Sequence, residues 1–188
     1  MLIRIFSFLL ETLFFVLIGS ALLRAWMNGC RVNMRAQPGS FVMAVTDWLV
    51  KPLRRVLPKA WAQSRIDWAS VIAALTLALG YALISVVLFG LLAGMGELTV
   101  LGPAALLSVP VFAVKMLIRV ALQTATMVVI GFAILSWVQP GSPAYSLLGR
   151  LTEPLLAPLR RVIPVIGGVD LSALVLILIL QIGLMVLG

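Results

Sequence analysis

The heptapeptide Pro52-Leu53-Arg54-Arg55-Val56-Leu57-Pro58 returns 106 positions later as Pro158-Leu159-Arg160-Arg161-Val162-Ile163-Pro164. The match reaches upstream, with Thr46-Asp47-Trp48-Leu49 against Thr152-Glu153-Pro154-Leu155. An apolar run ends near Trp26 before the first copy and near Trp137 before the second. An acid follows each copy, Asp67 and Asp170, and opens another apolar run. The chain is therefore one unit written twice, and such a repeat constrains the architecture before any local pattern is read.

The length of the apolar runs sets the fold class. A bilayer core of roughly 30 Å needs about 20 apolar residues of helix. Four stretches meet that need, at about 5–23, 68–92, 120–138 and 171–187. They are too long for membrane strands and lack strand alternation. With 63% apolar and 11% charged residues, the chain has too little polar surface to cover a water-soluble globule. The expected fold is an all-α membrane protein of two tandem repeats, about 1–95 and 96–188. Each repeat is a pair of transmembrane helices joined by an amphipathic, proline-kinked basic segment, giving four transmembrane helices in all. The first run has signal-peptide traits, Arg4 before it and Gly19-Ser20-Ala21 late in it. Glu11 interrupts it, and it is the repeat partner of the third run, so it is read as a retained span.

The amphipathic segments lie at about 41–57 and 145–163. In the first, Phe41, Val45, Trp48, Leu49, Leu53 and Val56 recur at steps of three and four, with Asp47, Lys51, Arg54 and Arg55 opposite. A helix lying in the membrane interface has this pattern. Proline lacks an N–H and disfavours helical angles in its predecessor. A bend is expected at Lys51-Pro52, with further breaks at Pro154 and Pro158. Gln37-Pro38-Gly39-Ser40 and Gln139-Pro140-Gly141-Ser142 mark a turn before each segment.

Ten of the fourteen basic residues fall in the two loops that carry these segments. By the positive-inside rule those loops are cytoplasmic. The net charge of +8 then reflects topology and anionic lipid rather than nucleic acid. Lys51, Arg54, Arg55, Arg160 and Arg161 are the candidate lipid- or partner-binding residues. Asp67 and Asp170 are helix N-caps, with or without a second role as partners of the arginines. Glu11 and Arg119 are the candidate intramembrane charges, and Lys115 shares a face with Arg119. The residues around 104–116, with Pro110 among them, fit either an interfacial helix or the start of a long third helix. Gly90 and Gly94 form a small-xxx-small spacing that permits close helix approach.

The residue inventory excludes much chemistry. Without histidine there is no Ser-His-Asp triad and no His-ligated metal. The one cysteine, Cys30, rules out an internal disulfide or a CxxC pair. No cofactor and no catalytic set is expected.

Thr-[Asp/Glu]-x-Leu-x-x-Pro-Leu-Arg-Arg-Val-[Leu/Ile]-Pro, the following Asp and two apolar spans per unit resemble the YggT family of small bacterial and plastid membrane proteins. The second copy, continuing Ile166-Gly167-Gly168-Val169-Asp170, is the closer match. In the first copy, Lys59 to Arg65 replaces the Gly-rich link, and Asp67 lies three residues later than the repeat offset predicts. The resemblance implies a bacterial inner-membrane protein with a role in osmotic or extracytoplasmic stress. The reading that follows is a non-catalytic protein whose basic loops bind anionic lipid or an acidic partner, as a homo-oligomer or beside another membrane protein. The competing reading is a small ion transporter or channel subunit linked to potassium. The spans carry few ionisable groups to support it.

Overall fold

The computed structural model describes residues 2–34, 38–58, 67–92, 102–163 and 171–187, and all regular structure among them is helical. Six helices follow one another: α1 (Leu2–Gly29), α2 (Gly39–Val56), α3 (Trp68–Leu92), α4 (Pro103–Val138), α5 (Pro143–Arg160) and α6 (Leu171–Leu187). Three of them, α1, α3 and α4, contain stretches long and apolar enough to cross a membrane, while α6 is a shorter apolar helix of 17 residues.

One open alternative about boundaries is decided, and one expectation is corrected. The segment around 104–116 is not a separate interfacial helix. It is the first part of α4, which continues through Pro110 for 36 residues. At 1.5 Å per residue this helix is about 54 Å long. The prolines at 52, 154 and 158 likewise do not divide their segments: α2 and α5 are each one helix of 18 residues. All three prolines lie on the exposed side of their helices. The carbonyls they leave unbonded therefore face outward, while the opposite side keeps its packing. That packing offsets an interior proline's cost of about 3 kcal/mol.

Helix ends follow from local chemistry. At the end of α1, Val32 N–H donates to the Met27 carbonyl and Arg31 N–H to Asn28, with Arg31 at φ 53°. This is a Schellman arrangement, and Val32 and Met27 share an apolar cluster as such caps commonly do. Gly39 opens α2 because a Cβ there would lie 2.7 Å from the Met34 carbonyl oxygen. Ser142 caps α5, its hydroxyl accepting from Tyr145 N–H at 3.1 Å, with Pro143 at the first helical position.

Packing divides the helices into two similar groups. In the first, α3 packs on α1, and α2 lies across both; in the second, α6 packs on α4, and α5 lies across both. The groups meet through α4, which touches α1 and α3. The core where α1, α3 and α4 meet contains Ala74, Ala78 and Ala82, a stripe at intervals of four that lets the backbones approach. The expected Gly90–Gly94 spacing lies partly outside the described residues, since Gly94 is not among them.

Helix directions can be read from neighbours. Phe8 and Met116 line one cavity, while Leu23 and Val128 line the next. So α1 and α4 run side by side in the same direction. In contrast, α3 runs against α1, since Phe14 meets Tyr81 and Ala21 lies by Ala73. Repeat-related residues occupy like places. Thr46 and Thr152 are both buried, and each hydroxyl donates to the carbonyl four residues back, Val42 at 2.7 Å and Leu148 at 2.9 Å. Val50 and Leu156 are both fully buried, against α3 and α6 respectively.

Candidate functional site: charged elbows at one end of the bundle

Val42 of α2 and Leu151 of α5 belong to one apolar cluster with Met27 and Val128, which joins the two elbows at the same end of the bundle. The face that α2 buries against the bundle is one edge of the apolar sector expected for an interfacial helix. Val42, Thr46 and Val50 point inward, with Leu49 and Leu53 beside them. Phe41, Trp48 and Val56 are exposed. The apolar sector is wide, and only one edge of it packs on the bundle. In a lipid protein, periodicity alone cannot separate a protein-facing edge from a lipid-facing one.

Arg24 organises the first elbow. It stands near the end of α1, where a position next to Trp26 suggests an anchor at the membrane surface. Its side chain is instead 6% exposed. Its Nη1 donates to Thr46 Oγ1 at 2.7 Å and to Asp47 Oδ1 at 2.8 Å. Lys51 Nζ takes the other Asp47 oxygen at 2.8 Å, one turn along α2. Lys51 chiefly, with Arg24, holds the Asp47 carboxyl below its ordinary pKa, against the opposing effect of desolvation. Lys51 thus serves an internal carboxylate, while its own side chain remains well exposed.

Farther along the same helix, Arg54 Nη2 lies 2.6 Å from Asp67 Oδ2, and that carboxylate side chain is 4% exposed. Ser70 Oγ donates to the same oxygen at 2.9 Å. The Asp67 carbonyl accepts from Ser70 N–H and Val71 N–H, the first bonds of α3. Asp67 therefore starts α3 and tethers α2 to it. In the second elbow, Arg160 Nη1 donates to Glu153 Oε2 at 2.9 Å, within α5. Asp170 lies outside the described residues, as do Lys59 and Arg65. Arg55 and Arg161 are exposed, and Val56 and Val162 beside them are each more than 80% exposed. At the first elbow's rim, burial raises the Cys30 thiol pKa, more than a hydrogen bond to Trp26 lowers it. A thiol held protonated is a poor nucleophile.

Glu11 and Arg119 lie far from the elbows. With Lys115 and Tyr81 they line a cavity of about 200 Å³ at the opposite end of the bundle. The ion pairs among the described residues do not join Glu11 to Arg119. Arg24 is the residue that sequence reasoning misses. Its charge so late in an apolar run was the available signal, paired with Thr46-Asp47 across the loop.

Membrane-length apolar helices and charged, proline-containing helices gathered at one end define a class, the helical membrane proteins. The chain belongs to the CCB3/YggT family, whose model matches residues 1–91 and 111–188. Two matched segments are consistent with a unit present twice. The chain is 35% identical over 183 residues to a Vibrio alginolyticus protein described as the uncharacterized protein in the proC 3′ region, covering 97% of this chain and 92% of that one. It is 33% identical over 177 residues to the uncharacterized protein YggT of Escherichia coli K12, covering 94% and 85%. An uncharacterized protein of Haemophilus influenzae is 31% identical over 160 residues, covering 85% and 78%. No solved structure matches.

Proposed function

We propose that this protein is a non-catalytic, four-span component of the bacterial inner membrane whose two elbows dock on the anionic cytoplasmic leaflet. α6 is the fourth span. Its 17 residues rise about 26 Å, close to the thickness of the hydrocarbon core. The observation that carries the reading is the pairing of exposed charge with exposed apolar surface on both elbows. Arg54 and Arg55 precede Val56, as Arg160 and Arg161 precede Val162. Trp48 and Phe41 extend the exposed apolar surface on α2. Such a surface inserts apolar side chains at the headgroup level while each nearby cation contributes about 1 kcal/mol on an anionic leaflet. Stress tolerance and membrane-complex assembly are the physiological setting proposed for this docking.

A polarity-sensitive fluorophore at Val56→Cys and, separately, at Val162→Cys, both with Cys30→Ser, tests the reading in nanodiscs. Emission shifts to the blue when phosphatidylglycerol replaces part of the phosphatidylcholine, and salt weakens the shift. Emission that ignores lipid charge at both positions refutes the docking. In closed vesicles, a membrane-impermeant maleimide reaches both cysteines from one side; labelling from opposite sides refutes the shared leaflet.

A further inference from the structure

Two cavities of about 300 and 310 Å³ lie end to end between α1 and α4, sharing Phe15 and Met127. Together they form a groove from Phe8 to Leu23 along α1, fifteen residues or about 22 Å. Half of a 30 Å hydrocarbon core is about 15 Å, so the groove exceeds the depth of one leaflet. Its elbow half is lined mostly by apolar side chains, among them Val16, Leu23 and Phe41. Phe8, Val16 and Met127 are exposed, so the groove opens sideways, where a bilayer would supply hydrocarbon.

Charge is confined to the end remote from the elbows. There the groove meets the smaller cavity, and the two share Glu11, Met116 and Arg119. Lys115 and Tyr81 line the smaller cavity, and Gln123 the groove. Two cations face one carboxylate, leaving an excess of positive charge above an apolar channel. A guanidinium matches a phosphate through two parallel hydrogen bonds. We propose that the α1–α4 groove holds one anionic glycerophospholipid, its phosphate between Arg119 and Lys115 and one acyl chain along Phe15 and Met127. Lateral opening selects a ligand arriving from the bilayer over a soluble one. The phosphate end lies at the other end of the bundle from the elbow arginines and uses none of them, while Phe41 and Val42 of α2 and Leu148 of α5 help to wall the acyl end.

Native mass spectrometry of the full chain, released from detergent with phosphatidylglycerol or phosphatidylcholine, tests this. The wild type retains one phosphatidylglycerol at about tenfold lower lipid concentration than phosphatidylcholine, as about 1.4 kcal/mol of charge recognition requires. Arg119→Gln, and Lys115→Gln as an exposed-site change that spares folding, lose that preference. Met127→Trp, which fills the channel, lowers retention of both lipids. The quadruple Arg54, Arg55, Arg160 and Arg161→Gln variant keeps the preference, so failure at the elbows and failure here are separable. The proposal is overturned if the wild type does not discriminate between the lipids, or if both Arg119→Gln and Lys115→Gln discriminate as the wild type does. It is also overturned if Met127→Trp retains lipid unchanged, or if inorganic phosphate alone displaces the lipid at matching concentrations.

Discussion

Removing either partner of the Arg24–Asp47 pair should not cost the same. The Arg24 side chain is 6% exposed and that of Asp47 28%. In Asp47→Asn, a buried guanidinium keeps neutral acceptors, Thr46 and the amide oxygen, but loses its counter-charge. Stranding a buried charge costs about 3–5 kcal/mol. In Arg24→Met, Asp47 retains Lys51 at 2.8 Å and partial access to solvent. That change forfeits charge-assisted hydrogen bonding worth about 1.5–3 kcal/mol. The double variant Arg24→Met/Asp47→Asn removes the stranded charge altogether and should be more stable than Asp47→Asn alone. The assay is an SDS titration of protein folded in mild detergent, followed by tryptophan emission. The expected order of loss is Asp47→Asn, then the double variant, with Arg24→Met the least or equal to the double. Single-variant losses that add within about 0.5 kcal/mol, the limit for independent sites, would refute the reasoning. So would a larger loss for Arg24→Met than for Asp47→Asn.

Three further outcomes follow. Gly39→Ala places a methyl against the Met34 backbone and should destabilise by about 1–3 kcal/mol, whereas Gly141→Ala, in the matching Gln-Pro-Gly-Ser motif, meets open space and should be nearly neutral in the same titration. Asp67→Ala, which removes the buried carboxylate together with its Ser70 and Arg54 contacts but keeps the backbone carbonyl that starts α3, should cost about 1–3 kcal/mol, while Arg54→Gln, which leaves that buried carboxylate without its counter-charge, should cost more, up to about 3–5 kcal/mol; a smaller loss for Arg54→Gln would show that solvent or Ser70 suffices for the carboxylate. Asp47 has a lowered pKa when folded, so its stabilisation is complete above the unfolded carboxylate value of roughly 3.9 and is lost as pH falls through the lower folded value. The stability gap between wild type and Asp47→Asn should therefore narrow on acidification, and a gap that widens contradicts that sign.

Much of the architecture is legible because membrane length and a duplicated motif are both properties of contiguous sequence. The apolar runs mark α1, α3, the second half of α4 and α6 within a few residues. What escapes reading depends on contacts between distant segments. Arg24 meets Thr46 and Asp47 across 22 and 23 residues, and no periodicity encodes that meeting. The inward edge of α2 is hidden for a different reason: Phe41 and Val42 are equally apolar, and only the neighbouring helices decide which is buried. Prolines mislead because a local rule about hydrogen bonds omits where the freed carbonyls point. In α2 and α5 they point outward, so the helices persist.

The shared direction of α1 and α4 has an evolutionary corollary. A unit whose successor starts at the same end of the bundle is copied without turning the copy over, so gene duplication alone suffices to build the tandem. The two halves are then free to differ side by side: the first elbow holds Arg24 of the preceding helix against Asp47 and Arg54 against Asp67, the second holds Arg160 against Glu153 of its own helix.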